Sequence, residues 1–161
     1  MTDAELVSFA HEGVRISALI PPTWAASEVS QRHVRFFAPA RPEHDDYRST
    51  FSITLGEPEG FGTEWFQEFC DASVAALSQE RPDFALQSTE RFTLSSFVDV
   101  HAAWYTCGSE GGLEFAQLQA LGLMDRYHLY LINAATLLPL AEEYLPVFAD
   151  ILRSLRMLPA R

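Results

Sequence analysis

Asp99 and His101 stand two residues apart in the stretch "FVDVHAAWY", and alternation along a strand puts both side chains on one face. A carboxylate beside an imidazole is the arrangement that orients a general base. Such a base needs a nucleophile. Cys107 has the right parity, but six strand residues at about 3.3 Å each place it roughly 20 Å from His101. His44, Asp45 and Asp46 form the densest run of metal-ligating types, yet adjacent loop residues rarely all face one ion without a distant further ligand. Cys70 and Cys107 match neither a metal-ligand nor a redox spacing and read as buried, reduced thiols. "GEPEGFG" lacks the lysine and the glycine spacing of a phosphate cradle. No catalytic residue, metal or cofactor is therefore expected. The alternative is a small-ligand or enzymatic site centred on Asp99 and His101.

Polar side chains at alternate strand positions point to binding instead. Gln117 and Gln119 share one strand face, and paired amides there can hydrogen-bond the backbone of a bound segment. His128 and Tyr130 alternate with Leu129 and Leu131, and Phe36 and Phe37 cannot both point inward from a regular strand. If Phe36, Leu118, Leu129 and Leu131 supply one apolar layer, then Phe37, Gln117, Gln119, His128 and Tyr130 share the opposite face. Those five are the expected partner-binding residues. The remaining large aromatics, Trp24, Trp65, Phe66, Trp104 and Tyr105, read mostly as core.

A core must position these strands, and 161 residues with 48% apolar content can bury one as a single domain over 1–161. Val14, Ile16, Ala18 and Ile20 alternate into a strand that Pro21 and Pro22 end, with Trp24 folding back over the core edge. Val34 to Ala38 and Phe51 to Leu55 repeat the period of two, and the polar, proline-broken stretch from Pro39 to Tyr47 reads as an exposed, mobile loop. Phe66, Phe69, Cys70, Val74 and Leu77 fall three or four apart, which predicts a helix capped by Thr63 and stopped by Pro82.

Extended segments follow at Phe84 to Leu94, Phe97 to Cys107, Leu113 to Leu121 and Tyr127 to Thr136, with turns at "GSEGG" and "GLMDR". Turns that short make the strands antiparallel. A second helix carries Tyr144, Leu145, Phe148, Ile151, Leu152 and Leu155; Pro146 either kinks a helix begun near Leu140 or opens one at about Leu145. The fold class is α+β, an antiparallel sheet of about six to eight strands flanked by two main helices in a layered sandwich.

With 22 acidic residues against 11 arginines and no lysine, the net charge of −11 repels nucleic-acid phosphates and anionic lipid heads. Neither partner is expected. The start of the chain lacks the basic and apolar regions of a signal peptide, and no apolar run approaches the roughly 20 residues of a membrane span, so a cytoplasmic protein is expected.

"HEGVRISALIPPTW", "FSITLGEPEG" leading into the first helix, "YTCGSEGGLEFAQLQAL" followed by "RYHLYLINAAT", and the closing "FADILRSLRM" together resemble the PsbP-like superfamily. That group includes the extrinsic photosystem II protein, Ran-binding proteins of the MOG type, and bacterial DcrB and Eag-type proteins. The resemblance implies an antiparallel sheet flanked by helices and a protein that binds proteins rather than turning over substrates. "GGLEFAQLQALGL" is most similar to the Eag-type branch, which implies a cytoplasmic adaptor or chaperone for an apolar segment of a type VI secretion effector. A self-associating structural subunit is the remaining reading.

Overall fold

The computed structural model describes residues 6–60, 62–94, 99–124 and 128–158. In chain order the elements are β1 (Val7–His11), β2 (Ile16–Ile20), β3 (Ala25–Ser30), β4 (His33–Phe37), β5 (Thr50–Gly56), α1 (Gly62–Glu80), β6 (Ala85–Phe92), β7 (Asp99–Gly108), β8 (Glu114–Leu123), β9 (Leu129–Leu137), α2 (Ala141–Ser154) and β10 (Arg156–Met157). Seven strands form one antiparallel sheet in the order β3-β4-β5-β9-β8-β7-β6, and a second sheet of three has the order β1-β2-β10. The larger sheet and the two helices are the α+β sandwich expected. The separate small sheet was not expected, and neither were two strands, β1 within it and β3 at the end of the larger sheet.

Register decides which residues meet. Phe36 pairs with Phe51, Phe51 with Ala134 and Ala134 with Leu118, so one row of apolar side chains crosses four strands. The next row runs Val34, Ile53, Ile132, Ala120 and Ala102. Together they make an inner face, buried beneath α2 and the small sheet: Tyr144, Phe148, Ile151 and Leu152 come from α2, and Val14, Ile16, Ala18 and Ile20 from β2 and the residues before it. Each fully buried side chain such as Phe51 or Phe148 contributes about 1.5–3 kcal/mol. Pro146 lies inside α2 on its exposed side, and the helix starts at Ala141 with Leu140 as its cap residue, which agrees with the start expected near Leu140 and not with the one at about Leu145.

The corner after β2 behaves as its sequence suggests. The Trp24 amide donates to the Pro21 carbonyl at 3.1 Å, closing a turn. The indole is partly buried and lies 6.2 Å from the Tyr144 ring and 6.4 Å from Phe148, so it covers one side of α2. Upstream, Gly13 is required by close approach, since a Cβ there would sit 1.9 Å from the Gln31 carbonyl oxygen.

Two expectations need correction, and others lie outside the described residues. The stretch from Pro39 to Tyr47 is tied down rather than loose: Arg41 and Tyr47 form a bridge, Pro42–His44 is a 3-10 turn, and Asp45 and Asp46 take positive φ of 56° and 59°. Arg41 also binds Glu43 at 2.7 Å and Glu143 of α2, so an ion-pair fork holds the loop to the helix. Helix α1 starts at Gly62, which places Thr63 inside its first turn rather than at the cap. The Tyr127 start of one expected strand, the Phe97 start of another and part of the "GLMDR" turn lie outside the described residues.

Candidate functional site

The large sheet's outer face carries Phe37, Gln117 and Gln119, all half-buried. One cross-strand row joins Phe37 to Thr50, Ala135 and Gln117, and the next joins Arg35 to Ser52, Asn133 and Gln119. Three strand spacings separate Phe37 from Gln117, about 14 Å. Helix α1 covers only the other part of this face, through Phe66 and Cys70 on Leu121, Leu123 and Leu129, and through Leu77 on Tyr105 and Cys107. The Gln117 amide oxygen accepts a 2.6 Å hydrogen bond from the Tyr105 hydroxyl.

Tyr130 and His128 do not join that set. Tyr130 pairs with Leu55 and Gly122 on the inner face, is fully buried, and donates its hydroxyl proton to the Val14 carbonyl at 2.8 Å. The sequence expectation placed Leu129 and Leu131 in the layer with Phe36. The register places them under α1 instead, which turns Tyr130 inward. His128 is half-buried just before β9, where its carbonyl accepts from the Met124 amide, and it lines a polar pocket with Gly13, Gln31, Arg32, Leu55 and Glu57. The five residues therefore divide among three places.

Asp99 and His101 do share a face, but their chemistry is committed elsewhere. The Asp99 carboxylate takes a 2.9 Å ion pair with Arg91 from β6. His101 is buried, and burial first and Arg91 second push its pKa below the ordinary 6.5, favouring the neutral ring. Burial raises the Cys70 thiol to about 12 and raises that of Cys107 as well, so neither is a ready thiolate. Among the described residues no group of three or more His, Cys, Asp or Glu side chains could hold a metal ion. Likewise no described helix is long and apolar enough to cross a membrane.

Among the described residues a second concavity reaches only one of the five expected residues, Gln117. Helix α2 lies over β9 and β8, and between it and β6–β7 a groove of about 280 Å³ opens. Its lining includes Trp104, Thr106 and Ala116 from the sheet, Leu145 and Ala149 from α2, and Ser88 and Glu90 from β6. Trp104 pairs with Leu118 across the strands, so its indole belongs to the inner face and is only partly covered. At one end Arg153 of α2 binds Glu90 at 3.1 Å and lies 5.2 Å above the Phe92 ring. A smaller pocket of about 60 Å³ shares Thr106 with the groove and adds Asp83, Glu114 and Leu138. One sequence signal existed: Trp104 and Tyr105 are adjacent on a strand and must face opposite ways, and Tyr105 takes the place under Leu77.

No protein-family model matches the sequence, and no curated protein sequence matches it. Solved structures do. LpqN of Mycobacterium tuberculosis, involved in cell envelope biogenesis, is similar over 96% of this chain and 91% of its own, with TM-score 0.68 and 16% identity. The cyanobacterial PsbP (CyanoP) of Synechocystis matches over 98% of this chain and 95% of its own, with TM-score 0.62 and 18% identity. The Ran-binding protein Mog1p of Saccharomyces cerevisiae matches over 96% of each chain, with TM-score 0.62 and 11% identity. Likeness at these identities is likeness of fold. The chain has the PsbP-like fold that its sequence resemblance implied.

Proposed function

We propose that this chain is a non-catalytic protein-binding domain that receives a partner segment in the groove between α2 and strands β6–β8. The observation that carries this reading is the partly covered Trp104 indole, flanked by Leu145 and Ala149, in a groove beside the last strand of the sheet. Large aromatic side chains in such half-open settings are where interfaces concentrate their energy. The fold also hosts protein binding elsewhere, as the name of yeast Mog1p states. An enzymatic reading centred on Asp99 and His101 is less favoured, since Arg91 occupies the carboxylate and burial keeps the imidazole neutral.

Within this reading the narrower role is a cytoplasmic adaptor or chaperone for a secreted partner of the type VI effector kind, supported by the similarity of "GGLEFAQLQALGL" to the Eag-type branch. Part of that stretch is β8, which supplies Ala116 to the groove. The test is affinity capture followed by titration of the captured protein against the wild type and Leu145→Asp. A charge at Leu145 should weaken binding at least tenfold, measured where the variant is still folded, since Leu145 is partly packed against the core and its loss also lowers the denaturation midpoint. Equal affinity for both proteins would move the interface away from the groove, and turnover of a small substrate that depends on His101 would replace binding with catalysis.

A further inference from the structure

Strand β6 ends the seven-stranded sheet, and five of its eight residues, Ala85 to Thr89, are exposed in succession. A terminal strand presents backbone N–H and C=O groups along its outer side, and proteins usually blunt such an edge with proline or lysine. Neither occurs in β6, whose devices are a bulge between Leu86 and Ser88 and the charged pair Glu90 and Arg91 towards its end, so the stretch Ser88 to Thr89 between them is the part open to pairing. Its side chains Ser88 and Glu90 line the groove that Trp104 floors, so the edge and the groove are continuous. Among the described residues the charged side chains lining the groove and its smaller neighbour are Glu90, Asp83 and Glu114, with no basic side chain in either lining. Arg153 offsets Glu90 at one end, and at the other Asp83 and Glu114 outnumber the single nearby cation among the described residues, Arg81, which acts on Tyr105 and Cys107.

Resting on the protein-binding reading above, we propose that the partner segment is extended and basic, and that it adds to β6 as an eighth strand. Backbone hydrogen bonds to β6 supply affinity, one apolar side chain drops onto Trp104 and Leu145, and flanking Lys or Arg residues meet Asp83 and Glu114. A second copy of this chain fits less well, because each copy would bring a charge of −11 to an acidic rim.

The probe is a synthetic peptide of about ten residues alternating lysine with valine or leucine, compared with the same peptide carrying glutamate for lysine. The lysine peptide should perturb a Trp fluorescence component that Trp104→Phe removes, and should protect amides within 85–92 from hydrogen exchange. The glutamate peptide should bind at least tenfold more weakly, and the double variant Asp83→Arg, Glu114→Arg should weaken the lysine peptide by a similar factor. Two N-methylated versions separate backbone pairing from side-chain docking. An added strand points alternate amides at its neighbour, so methylation in one register should abolish binding and in the other should be tolerated.

No protection of β6 amides at millimolar peptide, equal binding of both charge types, or equal tolerance of both methylation registers would each overturn the proposal. If that happens while Leu145→Asp still abolishes binding of the captured partner, edge addition alone is wrong. If Leu145→Asp also leaves partner binding unchanged, the groove reading falls with it.

Discussion

The Tyr130 hydroxyl donates a 2.8 Å hydrogen bond to the carbonyl of Val14, joining the middle of the large sheet to the turn before β2 across 116 residues of sequence. Tyr130 is fully exposed to neither solvent nor α1; its ring lies wholly within the core. This bond satisfies a polar tip that burial would otherwise leave costly.

Tyr130→Phe removes the donor and keeps the ring. It should cost about 1–3 kcal/mol, because the buried Val14 carbonyl loses its partner. Urea denaturation should show a lower midpoint with an unchanged slope. A midpoint equal to the wild type would mean that the carbonyl is satisfied by another donor and that Tyr130 is held by packing alone.

Tyr130 also marks where reading the sequence stopped. Periodicity located β2, β4, β5, both helices and the antiparallel run at the end of the chain, because each has one face buried and one face wet. It could not say which of two faces on neighbouring strands is shared. That depends on register, and Leu129 with Leu131 looked as suited to the main core as Tyr130 with Ile132. Only the row Leu55, Tyr130, Gly122 resolves the choice. Strand β3 was missed for a related reason: all six of its residues are exposed, so no apolar alternation marks it. The groove escaped because it is made where α2 and β6 meet only at one end, through Arg153 with Glu90 and Phe92, a property of three-dimensional spacing at which the local Trp104-Tyr105 pair only hints.

Trp24 closes the corner after Pro21 and Pro22 by packing on Tyr144 and Phe148. Trp24→Ala should cost about 2–4 kcal/mol, below the loss expected for a fully enclosed ring because the indole is partly open. Trp24→Phe should recover much of it. The check is a pair of denaturation curves, and an unshifted midpoint for the alanine variant would show that the corner is held by its backbone turn.

Acid should loosen the fold through buried His101 and half-buried His33. Burial is the main cause lowering both His101 and His33, with Arg91 and Arg35 adding to it. A histidine whose folded pKa lies below its unfolded value binds more protons when unfolded, so stability rises with pH. The contribution is intact above the ordinary value of 6.5 and is lost as pH falls from there through the folded pKa. His101→Gln should flatten the decline of the denaturation midpoint as pH falls below the ordinary 6.5. A decline identical to the wild type would place the acid sensitivity on the carboxylates.

Arg41 should govern the order of its loop more than the stability of the fold. Its guanidinium holds Glu43 and Glu143 from a partly exposed position. Arg41→Ala should speed hydrogen exchange at Asp46, whose amide donates to the Arg41 carbonyl at 3.0 Å, and at Tyr47, bonded to His44 at 3.1 Å. The global midpoint should move little, as it does for most exposed ion pairs. Unchanged exchange would assign the loop's order to the backbone bridge between Arg41 and Tyr47 alone.

Cys70 and Cys107 give a direct view of how firmly α1 is held on the outer face. Cys70 sits on α1 against Leu121 and Leu129, and Cys107 on β7 under Leu77, so both thiols are covered by the same helix. Burial raises both, Cys70 to about 12, which leaves almost no thiolate at neutral pH. Native protein should therefore resist a maleimide over hours and react at both positions once unfolded. Under slow labelling the two sites should respond together to Phe66→Ala, which loosens α1 where it packs on Leu121 and Leu123. Rapid modification of Cys70 in the native protein, with Cys107 still protected, would show instead that the first half of α1 opens independently, and that the outer face is wider than the closed helix suggests.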